Sequence, residues 1–521
     1  MLLESPFTNL RRRIMIKIGN VTDKKIDFPC LKCISVGRAY ELLRADVREH
    51  LAAAKHDFGF KFCRFHAVFH DDMDVVYVRE DGTIGYHWHH IDKVYDFLLS
   101  IGMKPLVELN PMPSAIASAD KTLFFYKMNV TPPKDIKLWY DLIYEFVNHL
   151  TLRYGIDEVA SWYFEVWNEP NLKSFFSGTM EDYFEMYDAA AKAIKDVCPD
   201  YKVGGPATAA AGWIKETIEH CHANHVPLDF ITTHLYPIDE YCRYKGREGS
   251  PYDEGMFYIE TVKSVMEIVK NSPYPNLEIF WTEFNSLSAD SNKKVTFLTN
   301  TALDRLYGAS CVIRNMVETK DYSHMVSYWV VSDIFEEHKM THKAFSGTYG
   351  LVNINGIKKA TYNAFKLMKK LRGSIVELGI EAPVGCGAIA CYEYGVYRVL
   401  MWNNHFPEFP HQPDWVGAID FGDGLKGEYT VREALITEGH GSPYEEWLKM
   451  GSPETPTPFE DEYLRAASEM AYSCGEIPKG EKQYGFCLKP NEVRYMEICP
   501  KQQSLGEGVQ NKELEKLLFT H

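Results

Sequence analysis

The sequence predicts an α/β chain built as a closed (β/α)8 TIM barrel followed by an accessory β-sandwich. Three observations carry this expectation. Eight short apolar runs alternate with helix-length amphipathic stretches from about residue 33 to about residue 332. No Gly-x-Gly-x-x-Gly follows the first run, so the doubly wound open sheet, the alternative topology, lacks its usual support. After about residue 345 the helical spacing gives way to strand-like alternation. A barrel of this kind takes about 250 residues, so a chain of 521 has room for both units.

In order, the strand runs are 33–36, 61–66, 104–109, 162–167, 202–205, 229–234, 278–283 and 325–331. The clearest helix between them follows Pro132-Pro133 and sets Trp139, Leu142, Ile143, Phe146, Val147 and Leu150 on one face. Proline is best tolerated near a helix's first turn, which places that helix's start close by. Eight strand–helix repeats imply parallel strands, and closure into a barrel buries them best. Beyond the barrel, 388–394 and 396–402 alternate around Gly395 as a hairpin does, and 428–436, 484–488 and 493–498 add strands. A helix over 459–471 is expected to pack on that module. The units are thus 25–345 for the barrel, 346–505 for the sandwich joined by a strand from 12–22, and 506–521 for a charged tail.

Composition narrows the partners. The formal net charge is −16, which repels phosphate backbones and anionic headgroups, so neither nucleic acid nor a membrane is expected to bind. No apolar run approaches the length of a membrane span, and no secretory signal is evident, so a cytoplasmic protein is expected. Twelve cysteines without a compact framework suit that compartment. Cys30-Leu-Lys-Cys33 has no matching pair, and His87-Trp88-His89-His90 sits where a loop enters a helix; neither is read as a metal site. Aromatic residues reach 14%, which serves core packing and also the stacking of sugar rings.

Active sites of such barrels lie at the C-terminal ends of the strands. The fourth run ends in Asn168-Glu169-Pro170-Asn171 and the seventh in Glu283-Phe284-Asn285. Strands four and seven stand on opposite sides of the mouth, so the two carboxylates face each other across a space the width of a sugar. Cleaving a glycosidic bond takes this pair: one carboxyl protonates the leaving oxygen and the other attacks the anomeric carbon. Glu165, two residues before Trp167, is ambiguous, and a buried pairing with Arg64 is the competing reading.

The run Phe164-Glu165-Val166-Trp167-Asn168-Glu169-Pro170-Asn171-Leu172 resembles the acid/base motif of glycoside hydrolase family 39, in its bacterial β-xylosidase branch. The likeness extends over nearly the whole chain. It includes Asn129-Val130-Thr131-Pro132-Pro133-Lys134-Asp135, Val203-Gly204-Gly205-Pro206-Ala207, Ser332-Asp333-Ile334-Phe335-Glu336-Glu337 and His440-Gly441-Ser442-Pro443. It implies a retaining exo-glycosidase without cofactor or metal, releasing xylose from short xylooligosaccharides, with Glu169 as acid/base and Glu283 as nucleophile. The Glu283 charge and partial burial are expected to keep Glu169 protonated until the glycosyl-enzyme forms. The resemblance further implies that Asn168, His66, Phe175, His234, Tyr236, Trp329 and Glu336 contact or orient the sugar, and that the protein forms dimers or tetramers.

The chain departs from that branch at Phe65 and Ala67, where glycine is usual, at His70, and at Thr348-Tyr349, commonly Gly-Phe. Placed near the pocket rim, these changes bear on the sugar more than on the chemistry. The same mechanism on an α-L-arabinoside, a β-galactoside or an α-L-iduronide is therefore the second reading. A catalytically silent sugar-binding barrel is the third.

Overall fold

The computed structural model describes residues 14–237, 256–287, 301–337, 339–405 and 413–501. The expected tail at 506–521 lies outside them. Each of the eight predicted runs overlaps a strand of one closed barrel: Cys33–Arg38, Phe62–His66, Lys104–Leu109, Tyr163–Val166, Lys202–Thr208, Phe230–His234, Glu278–Phe284 and Met325–Tyr328. Every neighbouring pair is parallel, and the eighth strand closes on the first. The last strand stops three residues short of its predicted end, so Trp329 follows the strand instead of lying on it.

Alternation along the strands stacks the barrel interior in tiers. At the base, Cys33, Leu106, Tyr163, Phe230, Phe280 and Met325 form an apolar plug, with Tyr163 edge-on between Phe230 and Phe280. Two residues further along the same strands come Ser35, Arg64, Glu108, Glu165, Thr232, Thr282 and Ser327, all buried and all polar. The residues between, such as Val107, Phe164 and Trp281, point outward into the large core shared with the helices. A charged layer thus rests on an oily floor directly beneath the mouth.

The predicted helix is Ile136–Tyr154, and it buries the face the spacing selects. It starts later than the prolines suggested: Asp135 is the cap, accepting from the Lys137 N–H, so Pro132 and Pro133 belong to the approach.

The accessory unit is a ten-stranded sheet folded into a β-sandwich. Its core joins Ile16, Val376, Val399, Met401, Trp415, Ile419, Phe486 and Met496, among others. The predicted hairpin is present as Cys386–Glu393 and Val396–Asn403. Its two-residue turn has Tyr394 at φ 49° and Gly395 at φ 82°, the pair of left-handed residues that matches strand twist. Strand Val396–Asn403 is buried on both faces: Val399 and Met401 enter the sandwich, whereas Leu400 and Trp402 join the barrel core. Strand Ile14–Lys25 pairs antiparallel with Ser374–Ile380 and parallel with Trp415–Asp420. The predicted helix is Pro458–Ala467, and it packs in a small cluster separate from the sandwich core, with Leu464 buried against Phe345, Ile357, Tyr444 and Trp447.

A buried ion cluster pins the segment after the eighth strand. Lys359 Nζ lies 2.6 Å from Asp304 and 2.7 Å from Asp333, with all three inaccessible to water. Those carboxylates also accept from the backbone N–H groups of Gly347 and Gly350, and Lys359 donates to the Thr348 carbonyl. Gly350 admits no side chain, since a Cβ would meet the Asp333 nitrogen at 2.4 Å. Lys359→Met leaves two buried carboxylates uncompensated. It should cost about 3–5 kcal/mol in urea denaturation, and a loss under about 1 kcal/mol would refute the cluster's role.

Candidate active site

Glu169 sits just beyond the fourth strand on a sharply turned backbone: Trp167 has φ 71° and Glu169 φ 46°, left-handed values that non-glycine residues rarely adopt. The turn is held by the Glu169 N–H donating to the Ala207 carbonyl at 2.8 Å, across to the fifth strand. Such local cost is commonly found where a side chain must be aimed.

Glu283 reaches the mouth through an irregularity. Along the seventh strand Phe280 and Thr282 face inward, so strict alternation would turn Glu283 out towards the helices. The register against both neighbours slips between Trp281 and Phe284, as a β-bulge does. Thr282 still donates inward to Glu165 at 2.7 Å, and Glu283 turns into the mouth as well.

The carboxylate oxygens of Glu169 and Glu283 approach within 4.8 Å, with His234 between them. His234 Nδ1 is 3.0 Å from Glu169 Oε1 and 3.6 Å from Glu283 Oε2. Burial holds this imidazole well below its ordinary pKa, so it is neutral. Its Nε2 lies 3.4 Å from Arg64 Nη2, and a guanidinium only donates; Nδ1 therefore carries the hydrogen and donates to Glu169. Glu283 accepts from Arg64 Nη1 at 3.0 Å and from the Tyr236 hydroxyl at 2.8 Å. Burial raises its carboxyl above the usual range, opposed chiefly by the Arg64 charge.

Arg64 is the hub. Its Nε donates to Glu165 at 2.6 Å, one Nη2 hydrogen to Asn168 Oδ1 at 2.8 Å, and the same nitrogen contacts Glu108 at 2.8 Å. Glu165 is thus bound to Arg64 beneath the mouth and does not reach it, which resolves its ambiguous reading. Asn168 is nearly inaccessible, and its Nδ2 has no partner. With the carbonyl end fixed by Arg64, the amide nitrogen is the donor left over in this buried layer.

The remaining predicted residues fall into two sets. His66 joins the pair: its Nε2 is 3.5 Å from Glu283 Oε1, its Nδ1 is 2.8 Å from Glu108, and Trp329 packs against its ring at 4.4 Å. Burial takes His66 down to about 3, so it too is neutral. Phe175 stands at the rim, edge-on to Phe124. Glu336 is drawn away: Arg38 binds it through Nε at 2.8 Å, and Arg38 also pairs with Asp72, itself bonded to His70. Its neighbour Glu337 comes nearer the site, 3.7 Å from His66 Nε2. Of the unusual positions, Ala67 has φ 67°, a conformation glycine takes freely, and Phe65 packs outward against Tyr95, away from the rim. Tyr349 lies in one apolar cluster with Tyr236 and Trp329.

Sequence reading missed Glu108, Glu337 and the hub function of Arg64. The signal for Glu108 was present: it is the one charged residue in the buried run Pro105-Leu106-Val107-Glu108-Leu109. Among the described residues, Glu169, His234 and Glu283 are also the set whose donor atoms cluster closely enough for a metal. Arg64 already supplies the positive charge there.

The chain matches the sequence model of glycosyl hydrolases family 39 over residues 14–479. It is 37% identical to a β-xylosidase of Caldicellulosiruptor saccharolyticus, covering 93% of this chain and 98% of that one. To a β-xylosidase of Geobacillus stearothermophilus it is 31% identical, with 89% and 92% covered. Among solved structures, a monomeric β-xylosidase from Caulobacter crescentus CB15 superimposes with a TM-score of 0.80 at 29% identity, covering 94% of this chain and 100% of that one.

Proposed function

The chain belongs to glycosyl hydrolase family 39 and is a retaining glycosidase, and from that premise we propose an exo-acting β-xylosidase with Glu169 as acid/base and Glu283 as nucleophile. One observation supports double displacement by this pair: the two carboxylates approach within 4.8 Å across the mouth. Retaining enzymes hold their carboxyls about 5–5.5 Å apart, whereas inverting ones need about 6.5–9.5 Å to admit water between them.

The proposed sequence follows from the contacts. Glu169 accepts from His234 through Oε1, which aims the carboxyl that delivers a proton to the leaving oxygen. Glu283, kept anionic by Arg64 and aimed by the Tyr236 hydroxyl, attacks the anomeric carbon. In the glycosyl-enzyme the Glu283 charge is gone, and Glu169 then takes a proton from the incoming water. The unpartnered Asn168 amide donates to the sugar's 2-hydroxyl, a contact that strengthens as the oxocarbenium character grows. Trp329, firmly packed on His66, forms the floor under the ring.

The substrate is a short, uncharged β-1,4-xylooligosaccharide. Among the described residues no helix is long and apolar enough to cross a membrane. A cytoplasmic location and assembly into dimers or tetramers remain parts of the proposal, and light scattering decides the second.

A panel of nitrophenyl glycosides tests the sugar: the xyloside should be cleaved best, and preference for the arabinoside or galactoside would move the substrate without touching the mechanism. No cleavage of any glycoside would favour a binding protein. In the same assay Glu169→Ala should lose about 100- to 10,000-fold in kcat. Added azide should restore turnover and yield the β-glycosyl azide, because Glu283 still forms the intermediate. An α-azide product would overturn the assignment.

A further inference from the structure

Glu108 has no part in the double displacement just described, yet it is wholly buried between two groups that do. It stands on the third strand, level with His66 on the second. His66 Nδ1 is 2.8 Å from both Glu108 oxygens, and Arg64 Nη2 is 2.8 Å from Oε2. Glu165 lies alongside on the fourth strand. On the other side of His66, Nε2 faces two further carboxylates, Glu283 Oε1 at 3.5 Å and Glu337 Oε1 at 3.7 Å.

We propose that Glu108 is a positioning residue held as a neutral carboxylic acid, whose O–H donates to His66 Nδ1 and so fixes the Nε2–H tautomer of His66 towards the nucleophile and the sugar. The inference rests on Glu283 being the nucleophile, and it adds a proton that the family assignment does not place.

The alternative arrangement has an anionic Glu108 accepting from Nδ1–H. It would set the bare Nε2 lone pair against two carboxylates, and it would leave the single Arg64 charge facing three anions, Glu108, Glu165 and Glu283. Protonating Glu108 removes the first conflict and eases the second: its O–H meets the Nδ1 lone pair, Nε2–H faces the two carboxylates, and Arg64 is left with two anions, Glu165 and Glu283. Burial acts in the same sense, pushing the Glu108 carboxyl well above the ordinary carboxylate range against the pull of Arg64. His66 stays neutral, so the proton is not shared as an imidazolium.

The consequence is a hydrogen-bond polarity. With the site filled, a sugar hydroxyl seated between His66 Nε2–H and Glu337 accepts from the first and donates to the second. A hydroxyl of the opposite configuration cannot do both from the same ring position.

Glu108→Gln decides the matter, because glutamine copies the neutral acid: its NH2 replaces the acid O–H towards His66, and its oxygen keeps the place beside Arg64. We expect kcat/KM on nitrophenyl xyloside within about threefold of wild type and an unchanged pH profile. Glu108→Leu removes the donor and should lose about 10- to 100-fold, the range usual for groups that orient a reacting side chain. If Glu108 were an anion, glutamine would turn NH2 towards Arg64 and lose as much as leucine or fail to fold; either result overturns the proposal. A measurement independent of turnover uses wild-type protein labelled with 15N-histidine, with the His66 signals identified from their loss in His66→Gln. The Nε2–H tautomer supports the proposal and the Nδ1–H tautomer refutes it, whichever glycoside the enzyme prefers.

Discussion

Glu283→Ala is expected to reduce kcat by about 100,000-fold or more, equivalent to about 7 kcal/mol of transition-state stabilisation. Three neighbouring carboxylates are held away from the attack. Glu165 is tied to Arg64 and Thr282 beneath the mouth, Glu108 is enclosed between Arg64 and His66, and Glu336 is bound by Arg38 at the rim. Azide should rescue this variant too, but from the vacated face, giving the α-azide. Opposite product configurations from the Glu169 and Glu283 variants are the sharpest test of which carboxylate does what. A residual rate above about 1% of wild type would mean that another group is the nucleophile.

Arg64→Met should damage both fold and activity. Burial works against the guanidinium charge, yet the carboxyl groups packed around it hold its pKa above the ordinary value. Removing it leaves buried carboxylates without a counter-charge, and about 3–5 kcal/mol of stability should be lost. The same change frees the Asn168 carbonyl and loosens Glu283, so surviving folded protein should show a much lower kcat/KM. Arg64→Lys is no rescue: one ammonium on a flexible stem cannot meet Glu165 at 2.6 Å, Asn168 at 2.8 Å and Glu283 at 3.0 Å together. Adding Glu165→Gln to Arg64→Met removes one stranded charge, and urea denaturation should show part of the stability restored. No restoration would mean that Arg64 acts through packing and not through charge.

The barrel was legible because its strands are buried on both faces and short, while its helices show one apolar face; those periods survive any packing detail. Glu169 and Glu283 were legible because strand ends are where a barrel exposes residues to a ligand. What the spacing could not show was the bulge at Thr282 and Glu283: alternation alone turns Glu283 outward, and only the register against the neighbouring strands reveals the correction. Nor could it rank Glu336 against Glu337. The two are adjacent and chemically alike, and Arg38, almost 300 positions earlier in the chain, decides which is drawn aside. Strands Ser374–Ile380, Trp415–Asp420 and Ala471–Ile477 went unread for a different reason. The last of these is largely exposed, so its side chains carry little apolar alternation, and pairing by backbone hydrogen bonds leaves no mark on composition.

Strand Ile14–Lys25 finds its mates far along the chain, with Val21 opposite Val376. On a ribosome adding about 5–20 residues each second, the strand would emerge roughly 20–70 s before that partner exists. Throughout that interval a row of unpaired amides and carbonyls is open to other nascent chains. Production at high expression levels should therefore be limited by the waiting time of this one segment, and slower synthesis would lengthen the hazard.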